Sequence, residues 1–261
     1  AELYFRTPRR YPLLASAGTL KLLYDRNRSA ELRLIYNRSD TLKRALPPTE
    51  ELQQCTLTAE GVASGRLRFT HAQGLRLWGM ALEDTTGVVV DNYSLRGNSG
   101  LTLDNLTPSV CRSICKWRPY DLIILQYGLN VVSDGVLNYN SYAAHMEAIV
   151  NRMKANFPQT DFLLLGVSDR GDHDNGKIVT MPAILALLQA QRRIARHTQI
   201  AFWNTFGAMG GENAIAGYVE KGWAGKDYTH LTAAGGRQVA SLLMNALMLE
   251  KQFYDELDSS Y

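Results

Sequence analysis

No run of apolar residues in this chain approaches the ~20 that a membrane-crossing helix needs, so no transmembrane segment is expected. The opening Ala1-Glu2-Leu3-Tyr4-Phe5-Arg6 lacks the apolar core of a secretory leader. A mature secreted protein lacks one too, so the compartment stays open. Cysteine is scarce, and the three present among 261 residues cannot all pair with one another. Cys111 and Cys115 lie four apart in a stretch of helical character, a poor geometry for a disulfide, and read as buried thiols. No further Cys or clustered His completes a zinc set, so neither a metal nor an organic cofactor is expected. Positive charge is in small excess, 28 Lys and Arg against 25 Asp and Glu. It is scattered, with short clusters at Arg9-Arg10 and Arg192-Arg193. There is no basic stripe interleaved with aromatics, which argues against a nucleic-acid partner. No Gly-rich phosphate loop opens a helix after the first α/β strand, which argues against a flavodoxin-like cofactor binder. Internal repeats and low-complexity stretches are absent as well.

What remains is a composition of 46% hydrophobic and 20% charged residues, that of a globular protein long enough for one large domain or two small ones. The texture changes along the chain. In residues 1–85, short alternating runs read as strands: Thr19–Tyr24, Glu31–Tyr36, Leu52–Leu57, Gly65–Phe69 and Leu75–Met80. The polar stretch 25–29 joins the first two as a turn. Several short strands with polar turns predict a small β-sandwich. The boundary is expected within Leu82–Gly87.

From residue 86 to 261 strands alternate with helices. Gly87-Val88-Val89-Val90-Asp91 reads as the first strand. Asp121–Tyr127 is apolar throughout its centre, as a strand buried on both faces should be. Asp161–Val167 and Ile200–Trp203 repeat the theme. One amphipathic helix is expected from Ser141 as N-cap to a stop at Pro158. A second runs from Pro182 through Ile194, and a third from near Thr232 through Leu249. This alternation predicts an α/β domain with a mostly parallel sheet and helices on both faces, a three-layer α/β/α arrangement.

In such sheets ligands bind beyond the carboxyl ends of the strands, and three loops there carry useful chemistry. Lys226-Asp227-Tyr228-Thr229-His230 offers a proton acceptor, His230, with Asp227 three residues earlier on a turn to hold its tautomer. Gln126-Tyr127-Gly128-Leu129-Asn130 offers a side-chain amide for a developing oxyanion, worth ~3 kcal/mol in a transition state. Gly128 would let the backbone approach a substrate closely. Asn92-Tyr93-Ser94-Leu95-Arg96-Gly97-Asn98-Ser99-Gly100 offers the Gly97 N–H for the same oxyanion. Each has a plainer reading: a turn aspartate beside a surface histidine, an Asn in a turn after a strand, a Gly-rich turn. The coincidence of all three favours a site. Ser94 and Ser99 are the conceivable nucleophiles, but neither sits at a tight strand-to-helix turn. His197 lies near a helix C-terminus, where the dipole favours a cation. His145 is read as packing early in its helix, and His173 as part of a solvated turn. Asp169-Arg170, after a sheet strand, is placed where it would line the site.

These motifs resemble the SGNH, or GDSL-type, hydrolase superfamily, whose four blocks are a Gly-Asp-Ser loop, a Gly loop, a Gly-x-Asn loop and an Asp-x-x-His. Gly128-Leu129-Asn130 matches the third, Asp227-Tyr228-Thr229-His230 the fourth, and Asn92–Ser99 resembles the second, with Gly97 or alternatively Ser94 at the oxyanion position. The resemblance spans residues 75–250. With Thr180-Met181-Pro182, 189–193, 201–204 and 208–212, it is similar to the branch containing bacterial peptidoglycan O-acetylesterases. In that branch a carbohydrate-binding-like β-sandwich is inserted after the serine block, which residues 1–85 would match. The resemblance implies catalytic roles for Asp227 and His230 and an oxyanion hole of Gly97 and Asn130, with no cofactor.

The first block is missing: no Gly-Asp-Ser occurs in the sequence, and Gly171-Asp172 is followed by His173. The sheet strand that precedes the serine in the family is unaccounted for too. Three explanations stand: an upstream segment cleaved or left out, a separate polypeptide supplying strand and serine, or a non-catalytic descendant. The expectation is an ester hydrolase deacetylating a cell-wall or other extracytoplasmic glycan, in the periplasm or at the cell surface. Its nucleophile comes from a missing segment or a second polypeptide, and its partners are that piece and an acylated glycan. The alternative is a glycan-binding or scaffold protein on a disabled hydrolase, for which Trp78 is a candidate contact.

Overall fold

The computed structural model describes residues 1–8, 11 and 14–258, so the Arg9-Arg10 cluster lies outside the described residues. The chain divides into two compact units, Ala1–Ser94 and Leu95–Tyr261.

Among its described residues, the first unit is built from seven antiparallel strands: β1 Glu2–Arg6, β2 Ala17–Asp25, β3 Glu31–Tyr36, β4 Asp40–Ala45, β5 Gln53–Val62, β6 Ser64–Thr70 and β7 Arg76–Glu83. They form a four-stranded sheet in the order β1-β6-β3-β4 and a three-stranded sheet in the order β5-β2-β7. Alternation along each strand sends one set of side chains inward. Leu20, Leu22 and Tyr24 of β2 pack with Leu32 and Leu34 of β3, Cys55 and Leu57 of β5, and Leu67 and Phe69 of β6 in one buried cluster. Burial on the facing sides of two sheets is what a sandwich requires. The turn between β2 and β3 is held by buried Asn27. Its side-chain amide donates to the Leu46 and Pro47 carbonyls at 2.7 and 2.9 Å and accepts from the Ala30 N–H at 2.9 Å.

The second unit is α/β. Its parallel sheet has three strands, β8 Leu122–Gln126, β9 Asp161–Leu165 and β12 Ala201–Trp203, in the order β12-β9-β8. Between them lie α2 Asn140–Asn156, a hairpin of β10 Gly171–Asp174 and β11 Lys177–Thr180, and α3 Pro182–Thr198. Helix α1 Pro108–Trp117 precedes β8; α4 Thr205–Met209, α5 Ala214–Glu220 and α6 Ala233–Asp258 follow β12. Residues of α2 and α3 (Met146, Ile149, Val150, Ile184, Leu187, Ile194) pack with Leu125, Phe162 and Leu164 in the main core. On the other side, Leu247 of α6 lines a cleft with Leu122, Leu163 and Ala201. Cys111 is buried on α1, and the half-buried Cys115 donates from Sγ to the Asn156 carbonyl at 3.3 Å. Burial raises the pKa of both thiols.

Several expectations need correcting. Gly87–Asp91 forms no strand. Val88, Val89 and Val90 are 93, 55 and 83% exposed and belong to irregular chain. A β-branched run is held as a strand only by a neighbouring ladder, and among the described residues none flanks this one. On the parallel sheet β9 is central and β8 is an edge, with Leu122 and Ile124 40 and 44% exposed. Helix α2 starts one residue before Ser141, and Tyr139 takes the N-cap position without a side-chain cap. The Asn138 carboxamide instead accepts the Asn140 N–H at 2.9 Å. His145 is exposed rather than packed, and His173 stands in strand β10 rather than in a turn. Asp169 is fully buried and cannot line an open site.

Candidate active site

The Asp227–His230 turn is shaped by its own backbone. Tyr228 takes the left-handed conformation at φ 51°. The Gly225 N–H donates to the His230 carbonyl at 2.8 Å, closing the loop at its base. Asp227 Oδ1 accepts the N–H groups of Thr229 and His230 at 3.0 and 3.1 Å. Its other oxygen, Oδ2, is then directed at His230 Nδ1, 2.7 Å away. The hydrogen bond to the imidazole, followed by the two backbone N–H groups, lowers the Asp227 pKa to about 2. An ionised carboxylate only accepts, so Nδ1 carries the hydrogen and Nε2 has the free lone pair. The His230 side chain is 79% exposed, which leaves Nε2 open to an incoming hydroxyl.

A titration follows from the lowered pKa. The carboxylate's contribution to the turn is complete above the ordinary Asp value near 3.9 and is lost as pH falls through about 2. Carbon-13 NMR of the Asp227 carboxyl should therefore show ionisation throughout pH 4–8. A midpoint near the ordinary value of about 3.9 or above would mean that the pair is not formed in solution.

The second half of the site follows β8. Gly128 has φ 138°, and a Cβ there would meet Gln191 Nε2 at 3.0 Å and Leu187 Cδ2 at 3.3 Å. That combination of backbone angle and crowding admits only glycine without a shift. The chain then enters a short 3-10 turn, Leu129–Val131, which carries Asn130. Asn130 Nδ2 donates to the Asn98 carbonyl at 3.0 Å. One of its two amide hydrogens is thus spent on positioning, and the other remains for a ligand. The same bond ties Asn130 to the loop carrying Gly97. That loop is folded by Asn98, whose Oδ1 accepts the Gly100 N–H at 2.7 Å, and by Tyr142, whose hydroxyl donates to the Ser99 carbonyl at 3.0 Å. Gly97 and Asn130 therefore stand on directly bonded loops.

The two halves share one edge of the sheet by topology. β8 and β9 run parallel, so the loops after Gln126 and after Leu165 leave from the same end. Buried Gln191 of α3 joins those loops: Oε1 accepts the Val167 N–H at 2.7 Å, and Nε2 donates to the Tyr127 carbonyl at 2.8 Å. The segment after β9 reaches the Asp227–His230 turn at Gly171, whose N–H donates to the Tyr228 carbonyl at 2.9 Å. Asp169 fixes this segment from below. It accepts the Thr180 hydroxyl and the Ile215 N–H, both at 2.8 Å. Asn213 and Thr180 exchange two further bonds at 2.7 and 2.8 Å. Burial pushes the Asp169 pKa up, opposed by these hydrogen bonds.

Gln191 was legible as a polar residue inside the apolar stripe Ile184-Leu187-Leu188-Ile194, an exception that asks for a buried partner. The Asp169 network had no such signal, because its members are spread from residue 169 to 215. His173 packs edge-on against Tyr228 with ring centroids 5.9 Å apart, and His197 Nδ1 lies 3.1 Å from Glu147 Oε1. His173 thus packs on the Asp227–His230 turn through Tyr228, whereas His197 pairs across from α3 to α2. Ser94 and Ser99 are not brought to His230 by any contact among the described residues. No group of three or more His, Cys, Asp or Glu that could hold a metal occurs among them.

The two-unit chain, with an Asp–His turn and a Gly-x-Asn loop at one sheet edge, has an SGNH, GDSL hydrolase-like fold with an added β domain. The solved structure of a peptidoglycan O-acetylesterase superposes with a TM-score of 0.60 at 21% identity, over 95% of this chain and 66% of that one. This chain thus spans just under two thirds of that protein's length. A family two carbohydrate esterase from Cellvibrio japonicus matches more loosely, with a TM-score of 0.29 at 12% identity, over 78% of this chain and 82% of that one. No protein-family profile matches the sequence, and no curated protein matches it. The likeness to the peptidoglycan O-acetylesterase structure makes the fold esterase-like. No helix among the described residues is long and apolar enough to cross a membrane.

Proposed function

We propose that this chain supplies the base, its orienting carboxylate and the oxyanion hole of a serine-type ester hydrolase. The serine arrives on polypeptide outside these 261 residues, and the substrate is an acetylated cell-wall or other extracytoplasmic glycan. The observation that carries the reading is the 2.7 Å contact between Asp227 Oδ2 and His230 Nδ1, which leaves Nε2 free and exposed. The serine hydroxyl loses its proton to Nε2 as its oxygen attacks the acetyl carbonyl. The tetrahedral oxyanion accepts from the Asn130 amide and the Gly97 N–H. The imidazolium, stabilised by Asp227, returns the proton to the departing sugar hydroxyl. Water then repeats the sequence on the acetyl-serine and releases acetate.

Delivery of the serine on a strand is supported by the edge of β8. A parallel edge with exposed Leu122 and Ile124 is a template for one more strand. A strand added there in parallel would end beside Gly128, bringing the residues that follow it to Asn130. The likeness to a peptidoglycan O-acetylesterase supports the glycan ester and a site of action outside the cytoplasm.

Fluorophosphonate labelling tests the reading. The 261-residue chain should take no label. The complete gene product, or the complex purified with its strand-bearing piece, should be labelled on one serine outside these residues, and His230→Ala should abolish that label. A labelled serine within the chain would overturn the delivery of the nucleophile. An unlabelled complete protein would overturn the esterase assignment.

A further inference from the structure

We infer that the hairpin β10–β11 is the brace that holds the Asp227–His230 pair in its working geometry, with His173 as a positioning residue that acts through Tyr228. The inference deepens the esterase reading and rests on it for its kinetic consequence. Tyr228 is the reason a brace is needed. It stands between Asp227 and the N–H groups of Thr229 and His230, and its φ of 51° turns the chain back so that both groups face Asp227 Oδ1. The left-handed conformation is costly for a bulky residue, and glycine or asparagine adopts it more readily. A residue so placed persists where its surroundings over-determine it.

At Tyr228 they do. Its N–H donates to the Gly225 carbonyl at 3.0 Å and its carbonyl accepts the Gly171 N–H at 2.9 Å, so both backbone groups are committed. Its side chain joins Ile178 of β11 against the buried cluster that contains Ile215. The hairpin lies flush on it: a Cβ at Gly171 would meet Ile178 Cγ2 at 2.6 Å and Tyr228 Cβ at 3.1 Å. The His173 ring then stands edge-on to the Tyr228 ring, with the planes at 88°, an arrangement that aromatic pairs favour.

The hairpin is stiff enough to serve. Asn175 and Gly176, its two loop residues, have φ of 48° and 78°, as in the type I′ turn whose twist matches that of the strands. The ladder is unbroken from Gly171–Thr180 to Asp174–Lys177. Its base is tied on both strands, Gly171 to Tyr228 and Thr180 to buried Asp169. His173 is exposed, so its replacement costs no core packing. What the brace protects is the state of His230. The ring nitrogen that carries the hydrogen is set by the bond it makes, here Nδ1 to Asp227 Oδ2. With the turn loosened, the imidazole reverts toward the Nε2–H form that an unheld neutral histidine prefers, and the base is blocked.

Nitrogen-15 NMR of His230 in the 261-residue chain, in mildly alkaline solution, reads this state without any need for the serine. The parent should show the Nδ1–H form. His173→Ala should shift the population toward Nε2–H. Tyr228→Asn, which suits the left-handed backbone but lacks the ring, should do the same. His173→Phe keeps a ring edge and should hold the parent's form. In the complete protein, His173→Ala should lower kcat by ~10-fold with KM unchanged, the signature of a misplaced reacting group, and His173→Phe should restore most of the loss. Melting temperatures of the His173 variants should match the parent's. Three results would overturn the brace: an Nε2–H form in the parent, the parent's form in His173→Ala, or equal losses of kcat in His173→Ala and His173→Phe. The last would assign the imidazole a polar contact of its own. A complete protein without esterase activity would sink the esterase reading alone, since the tautomer shift would still be there to measure.

Discussion

In the protein that includes the serine, His230→Ala should lower kcat/KM for an acetylated glycan by ~10⁴-fold, the scale of a lost general acid–base. KM and the melting temperature should change little, because the His230 side chain is largely exposed and hydrogen-bonded to Asp227. Asp227→Asn should cost ~10³- to 10⁴-fold for a different reason. Its remaining oxygen can still accept from Thr229 and His230, so the turn persists. Its new amide, however, would donate to Nδ1, which places the imidazole hydrogen on Nε2 and blocks the base. Steady-state kinetics of both variants, with a melt of each, checks the pair. A loss below tenfold in either would mean that another group accepts the proton.

The second large effect concerns stability. Gly235 sits in the first turn of α6, where an ideal Cβ would lie 1.9 Å from the Trp223 carbonyl oxygen. That oxygen already accepts the Thr232 N–H at 2.9 Å, and Thr232 Oγ1 caps the helix by accepting the Gly235 N–H at 3.2 Å. The contact is backbone against backbone and cannot be relieved by turning a side chain. Gly235→Ala should destabilise the α/β unit by about 3 kcal/mol and displace the Ala224–Leu231 bridge that frames the Asp227–His230 turn. Gly236 is the control. Nothing lies within 4 Å of its ideal Cβ, so Gly236→Ala should be neutral or stabilise by about 0.5 kcal/mol through helix propensity. Urea denaturation of the three proteins measures both. Equal midpoints for the two variants would mean that the loop before α6 gives way freely.

The residues that announced themselves in the sequence are those whose chemistry is local. Asp227 and His230 are three apart and need only a turn to meet. Gly128 and Asn130 follow a strand whose apolar centre is unmistakable. Alternation marked β2, β3, β5, β6 and β7 for the same reason. β4 was missed because Asp40–Ala45 has one inward apolar side chain, Leu42, and β1 because five residues give too short a pattern. The run Val88–Val90 misled in the opposite direction. Its composition favours a strand, but strand formation is a property of a pair, and the partner is absent from the described residues. Asp169 looked like a site residue from its place after β9. Its role depends on Thr180 and Ile215, contacts that no spacing along the chain reveals.

The pairing of β1 with β6 has a consequence for how the protein is made. Glu2–Arg6 finds its neighbour only when Ser64–Thr70 has followed. β2 in turn finds its two partners only in Gln53–Val62 and Arg76–Glu83. Early strands must therefore stay unpaired while most of the unit is synthesised, and such long-range closure is slow. Yet both partners emerge before Leu122, so the sandwich has all its strands before β8 with its open edge appears. Domain-by-domain folding in that order keeps the waiting strands of one unit from pairing with the unguarded edge of the other.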